Sequence, residues 1–192
     1  MTKPIGAIIL AAGFSSRFGS SKLLAGLSSG KTVFQQTVER IAEAFPERLV
    51  VTQPEMIPQL QKLAPGTSIL SFKNADQGMG ATLAFAAQQI GDWEGCVVCL
   101  GDMPFIKTST YRRIAELVTA DSIVTPTFNS TMGNPVAFGR NLYTDLVALT
   151  GDSGGRMLTS MYPQAVRELQ VSDQGILQDI DTLEELALYQ DS

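Results

Sequence analysis

The chain has 192 residues, 44% of them hydrophobic, which is ample for one domain with a sizeable core, and we read a single domain over residues 1–192. Its formal net charge of −5 argues against a nucleic-acid binder, whose surface would be basic. It has no histidine, which removes Ser-His-Asp and Cys-His catalysis and most zinc sites. Any metal should then be a hard ion held by oxygen, which points to Mg2+, and the chemistry must rest on carboxylates, Lys, Arg and backbone amides.

An apolar run at residues 5–10 reads as a buried first strand. With Lys3 before it, the run faintly resembles a signal peptide, but it is short and a polar loop follows at once. No stretch approaches the ~20 apolar residues that span a membrane, so a cytoplasmic protein without membrane partners is expected. The loop, Leu10-Ala11-Ala12-Gly13-Phe14-Ser15-Ser16-Arg17-Phe18-Gly19-Ser20-Ser21-Lys22, combines small residues with two cations. Small residues let backbone N–H groups approach a phosphate, and the cations neutralise it, so the loop looks built for a polyphosphate. Further on, Gly26-Leu27-Ser28-Ser29-Gly30-Lys31-Thr32 imitates a P-loop but has one residue too few between its glycines and follows no strand. It reads as a solvated loop.

Helix and strand patterns then alternate. We expect a helix at 33–45, a strand at 48–52, a short helix at 56–63 and a less hydrophobic strand at 67–72. The turn Gly78-Met79-Gly80 opens a helix at 81–90, and a strand follows at 95–100. A helix at 109–118, with Thr108 or Ser109 as N-cap, leads to short strands at 123–125 and 135–138. Helices at 141–149 and 155–162, a strand at 166–171 and a helix at 182–189 complete the chain. Such alternation means an α/β fold: a doubly wound, mostly parallel sheet with helices on both faces, Rossmann-like. Ligands of such sheets sit at the carboxyl ends of the strands, which puts the Lys22 loop and whatever follows Leu100 on one edge. Cys96 and Cys99 form C-x-x-C inside the fourth strand, where residues three apart face opposite ways, so they are read as structural.

Gly101-Asp102-Met103-Pro104 delivers an Asp at the end of that strand, a place suited to a Mg2+ ligand. In the run Asp179-Ile180-Asp181-Thr182-Leu183-Glu184-Glu185 the two aspartates share one face if extended, while Thr182 and Glu185 match a capping box.

The first loop resembles L-x-A-G-x-S/G-x-R-M-G-x-x-K, with Phe18 in place of Met, the pattern of the nucleotidyltransferases related to the molybdopterin guanylyl- and cytidylyltransferases. Gly101–Pro104 is similar to that family's G-D-x-P. Gln77-Gly78-Met79-Gly80-Ala81-Thr82-Leu83 resembles Q-G-M-G-x-S-L. Gly133-Asn134-Pro135-Val136 resembles G-x-P-V, and Gly151-Asp152-Ser153-Gly154-Gly155-Arg156 resembles G-D-x-G-A-R. The terminal aspartates look like the D-I-D-T-P-E-D-L of the cytidylyl branch, with Leu183 for Pro.

The resemblance implies a nucleotidyltransferase fold and a set of roles. Arg17, Lys22 and Asp102 are the expected catalytic residues, with Asp102 and Asp181 on Mg2+ and Asp179 the alternative to Asp181. Leu10, Ala11, Ala12, Gly13, Ser15, Ser16, Gly19, Thr52, Gln77, Gly78 and Gly80 are expected on the nucleotide, and Asn134, Asp152 and Arg156 on the acceptor, although Asp152 also fits a plain N-cap. The guanylyl branch has Gly where Ala12 stands, which favours CTP over GTP, with molybdopterin as phosphorylated acceptor and a molybdoenzyme receiving the product. Alternatives are a guanylyltransferase, transfer to another phosphorylated acceptor, or a non-catalytic molybdenum cofactor carrier. A doubly wound NAD enzyme ranks last because the loop lacks G-x-G-x-x-G.

Overall fold

The computed structural model describes residues 3–13 and 21–190. The expectations for Ser15, Ser16, Arg17 and Gly19 lie outside the described residues.

Strands β1 (Ile5–Ala11), β2 (Arg48–Thr52) and β4 (Gly95–Leu100) are continuous apolar runs buried on both faces. β3 (Ser68–Ser71), at the sheet edge, is half-exposed and more polar. β1 pairs in parallel with β2 on one side and with β4 on the other, and β2 pairs in parallel with β3. The connections therefore run outward from β1 in both directions, and the carboxyl ends of β1 and β4 flank the switch point where such sheets bind ligands.

Helices α1 (Val33–Ala42), α2 (Ile57–Leu63) and α4 (Thr108–Glu116) cover one face, where Phe34, Leu60 and Ile114 pack on Ile9, Val50 and Val97. Helices α3 (Met79–Ala87), α5 (Tyr143–Val147) and α6 (Arg156–Met161) cover the other, where Leu83, Leu146 and Leu158 pack with Ile8, Val51 and Val98. This is the expected doubly wound, mostly parallel α/β architecture. Cys96 belongs to one face and Cys99 to the other, both buried as free thiols, and burial pushes the Cys96 thiol up to about 12.

The second half departs from simple alternation. β5 (Ile123–Phe128) runs three residues past the expected end, through Pro126. The missing Pro126 donor is tolerated because β7 (Val136–Gly139) pairs antiparallel only with Ile123 and Val124, while β6 (Thr131–Met132) pairs antiparallel only with Thr127 and Phe128. Pro126 falls in the gap. The β5–β6 turn puts Asn129 at φ 48° and Ser130 at φ 65°, both left-handed, as a two-residue type I′ hairpin demands. β7 also pairs antiparallel with β4, and β8 (Val166–Gln170) pairs in parallel with the other edge of β5.

The start of α4 differs too. Neither Thr108 nor Ser109 caps it; instead the buried Asp173 accepts from the Lys107 N–H at 2.8 Å and the Thr110 hydroxyl at 2.5 Å. The imitation P-loop closes by a bridge between Gly26 and Thr32, and Thr32 N-caps α1 by accepting from the Gln35 N–H. No described helix is long and apolar enough to cross a membrane.

Candidate active site

The first wall of the site is the carboxyl end of β1. Thr52 and Gln53, at the end of β2, reach across to it: the Thr52 hydroxyl donates to the Ala11 carbonyl at 2.9 Å, and the Gln53 amide donates to the Ala12 carbonyl at 2.7 Å. Both side chains are buried, so Thr52 braces the end of β1 from behind and does not line the cavity in front of it. Gln53 carried no sequence signal, because a polar residue ending a strand usually reads as solvent-facing.

The second wall is the turn after β4. Gly101 N–H continues the sheet by donating to the Leu10 carbonyl at 2.9 Å. A side chain at Gly101 would press on Ala11, with Cβ only 3.2 Å from its Cβ, so glycine brings the two strand ends together. Asp102 follows, and its carbonyl accepts from Ile180 N–H at 3.1 Å. That bond docks residues 179–182 beside the turn. Ile180 is wholly buried against Leu27, Val33 and Leu186, while its neighbours Asp179 and Asp181 lie toward the cavity. The alternation expected of a strand thus holds without one.

The capping box forms as the spacing predicts. Thr182 Oγ1 accepts from Glu185 N–H, and Glu185 accepts from the N–H groups of Thr182 and Asp181. A cap of this kind is worth about 1 kcal/mol, and here it also fixes the backbone that carries Asp181.

Lys22, in a short 3-10 turn, sits between these parts. Its Nζ lies 2.6 Å from Asp102 Oδ2 and 2.7 Å from Asp181 Oδ1. Burial pulls the ammonium down, but the two carboxylates outweigh it and hold its pKa above the usual lysine value. Burial pushes the Asp102 carboxyl up, with the negative charge of Asp179 adding to it, and Lys22 offsets only part. Asp102 Oδ1 is buried and has no hydrogen-bond partner among the described residues.

Two adjoining cavities open here. One, of about 400 Å3, is lined by Leu10, Ala11, Ala12, Gly13, Lys22, Gly78, Thr82, Asp102 and Asp181 among others. The second, of about 370 Å3, is walled by Leu83, Val98, Val136, Phe138 and Ile176, with Asn134, Ser153 and Arg156 as polar lining. Leu10, Met79, Leu100, Asp152 and Asp179 border both. The structure therefore brings together most of the residues singled out from the sequence. Three lie apart from the cavity walls: Thr52, the exposed Gln77, and Gly80.

Gly78 and Gly80 do permit a close approach, but of the chain to itself. Gly80 N–H donates to the Gly151 carbonyl at 2.7 Å, and a Cβ on Gly78, at φ +102°, would lie 2.3 Å from Asp152 Oδ1. The two glycines thus seat the 150–155 loop against the start of α3. Asp152 does not cap α6, whose N-cap is Gly155; it stands exposed between the two cavities.

Among the described residues no three metal-binding side chains converge into a complete cage. Asp102 and Asp181 are the pair of carboxylates that could hold a divalent ion, which would take its other ligands from outside the pair.

Residues 7–168 match the model of the MobA-like NTP transferase domain. The bifunctional protein GlmU of Sphingopyxis alaskensis is 28% identical over 73% of this chain, which spans about a third of that protein's length (32%). The purine catabolism protein PucB of Bacillus subtilis is 26% identical over 93% of this chain and 92% of its own length. The crystal structure of Rv0371c from Mycobacterium tuberculosis H37Rv superimposes with a TM-score of 0.87 at 27% identity, covering both chains fully. Its complex with manganese gives 0.84 at 25% identity, again with full coverage of both chains.

Proposed function

Because the chain belongs to the MobA-like NTP transferase domain family, we propose that it transfers CMP from CTP to the phosphate of molybdopterin and releases pyrophosphate. The observation that carries this reading is Lys22 set between Asp102 and Asp181 at the carboxyl ends of β1 and β4, with one cavity on either side of Asp179.

The acceptor is already ionised, so the reaction needs positioning and charge neutralisation rather than a general base. The nucleotide occupies the cavity at Ala11, Ala12 and Gly13, with Thr52 and Gln53 fixing the peptide groups behind it. The backbone from Ala12 to Gly19, including Ser15 and Ser16, and the Arg17 side chain hold the β- and γ-phosphates. Lys22 reaches the α-phosphate and stabilises the charge that grows there. Asp102 and Asp181 would hold Mg2+, which would supply charge neutralisation to the phosphates. An oxygen of the acceptor phosphate attacks the α-phosphorus in line; the bond to the bridging oxygen breaks, and its electron pair leaves with pyrophosphate.

The apolar walls of the second cavity support a flat heterocycle as the body of the acceptor, with Asn134 and Arg156 available to its polar groups. Manganese in the Rv0371c complex supports a divalent ion. The Ala12 methyl at the nucleotide wall supports a pyrimidine. A non-catalytic carrier would have no use for an ammonium set between two carboxylates at a phosphate site. A molybdoenzyme would receive the product.

The test is pyrophosphate release with Mg2+, molybdopterin and either CTP or GTP. CTP is expected to win by about tenfold or more in kcat/KM, the discrimination one methyl group can supply. Release with GTP alone would refute the assignment of the base, and release with neither would refute molybdopterin as acceptor.

A further inference from the structure

The seat assigned to the metal is held by a side chain. One ammonium, that of Lys22, bridges Asp102 Oδ2 and Asp181 Oδ1 at 2.6 and 2.7 Å. A divalent ion bound to those same two oxygens would take the space that the ammonium fills. Lys22 is also the side chain needed on the α-phosphate, and its four-carbon stem with rotatable donors suits an exchange between the two positions.

Building on the metal-dependent reading above, we propose that Lys22 is a resident counter-ion. In the nucleotide-free protein its ammonium holds Asp102 and Asp181. It yields that place to the divalent ion only when a nucleotide triphosphate offers it a phosphate instead. Metal and nucleotide therefore bind as one coupled event. A second consequence is that Lys22 reaches the α-phosphate only once the metal has replaced it, so the transferring group and its two cations assemble together.

The test uses Mn2+ as probe, with free ion followed by its EPR signal at pH 8, on the wild type, Lys22→Met and the double variant Lys22→Met/Asp102→Asn. Without nucleotide, Lys22→Met should bind Mn2+ at least about tenfold more tightly than wild type, because a competitor that fills the seat nine-tenths of the time raises the apparent Kd tenfold. The double variant should lose that gain. A non-hydrolysable CTP analogue should raise Mn2+ affinity of the wild type beyond that of the analogue alone in solution. Lys22→Gln repeats the comparison with a donor but no charge, should Lys22→Met melt early. Equal Mn2+ affinity of nucleotide-free wild type and both Lys22 variants would overturn the counter-ion role while leaving the metal site standing. Absence of Mn2+ binding by every protein, with or without the analogue, would overturn the metal-dependent reading itself.

Discussion

Replacing Lys22 by alanine should lower kcat by about 10²–10³-fold, the usual cost of removing one preorganised group that stabilises transition-state charge. The change in KM for CTP should be smaller, because an interaction that strengthens in the transition state appears in kcat. The structure gives a reason to expect a clean result. Lys22 lines the cavity, so after loss of the ammonium, water or a divalent ion can reach Asp102 and Asp181 in its place. The fold should survive, which a melting curve checks. Lys22→Arg should rescue little, since a planar guanidinium does not fit between Asp102 Oδ2 and Asp181 Oδ1 as a point charge does. The Lys22 variants should thus combine tighter metal binding with slower chemistry, a pairing that simple loss of structure does not produce. A kcat within a factor of a few of wild type would remove Lys22 from the reaction.

Asp102→Asn should have an effect of similar or larger size. If the metal supplies about 4 kcal/mol of the several that Lewis-acid stabilisation can provide, its loss slows the reaction about 10³-fold. The substitution keeps the shape of the side chain and leaves its backbone carbonyl free to accept from Ile180 N–H, so the 179–182 segment stays docked. It also removes a carboxylate whose burial is unfavourable, so the melting temperature should stay within a few degrees of wild type. The measurement is pyrophosphate release at saturating Mg2+ and CTP. Near-normal turnover would assign the metal to other residues.

Much of this site was legible in the sequence because it lies in short segments whose chemistry is local. The apolar runs at β1 and β4 announce buried parallel strands, and the residues just past their ends, Ala11 to Gly13 and Gly101-Asp102, are then at the ligand edge by topology alone. The capping box likewise depends only on residues three apart. What the sequence did not reveal depends on contacts between distant segments. Lys22 meets Asp181 across 159 residues. Gln53 meets Ala12 across 41, and Asp173 replaces the local cap of α4 from 63 residues beyond Thr110. The β5–β6 hairpin lies beyond the expected strand at 123–125, and its Asn129-Ser130 turn lacks the glycine that usually marks such a hairpin. The glycines of the Gly78-Met79-Gly80 turn, expected on the nucleotide, closely approach the 150–155 loop.

In the proposed reaction the α-phosphorus of a nucleotide moves to an acceptor phosphate at the Lys22–Asp102 site. The most direct test is to incubate the protein with Mg2+, molybdopterin and CTP labelled at the α-phosphorus, and to follow the label. Label is expected in a molybdopterin-containing product, with one unlabelled pyrophosphate released for each transfer. Label that stays in CTP, or that appears only as free CMP, would contradict the proposed reaction.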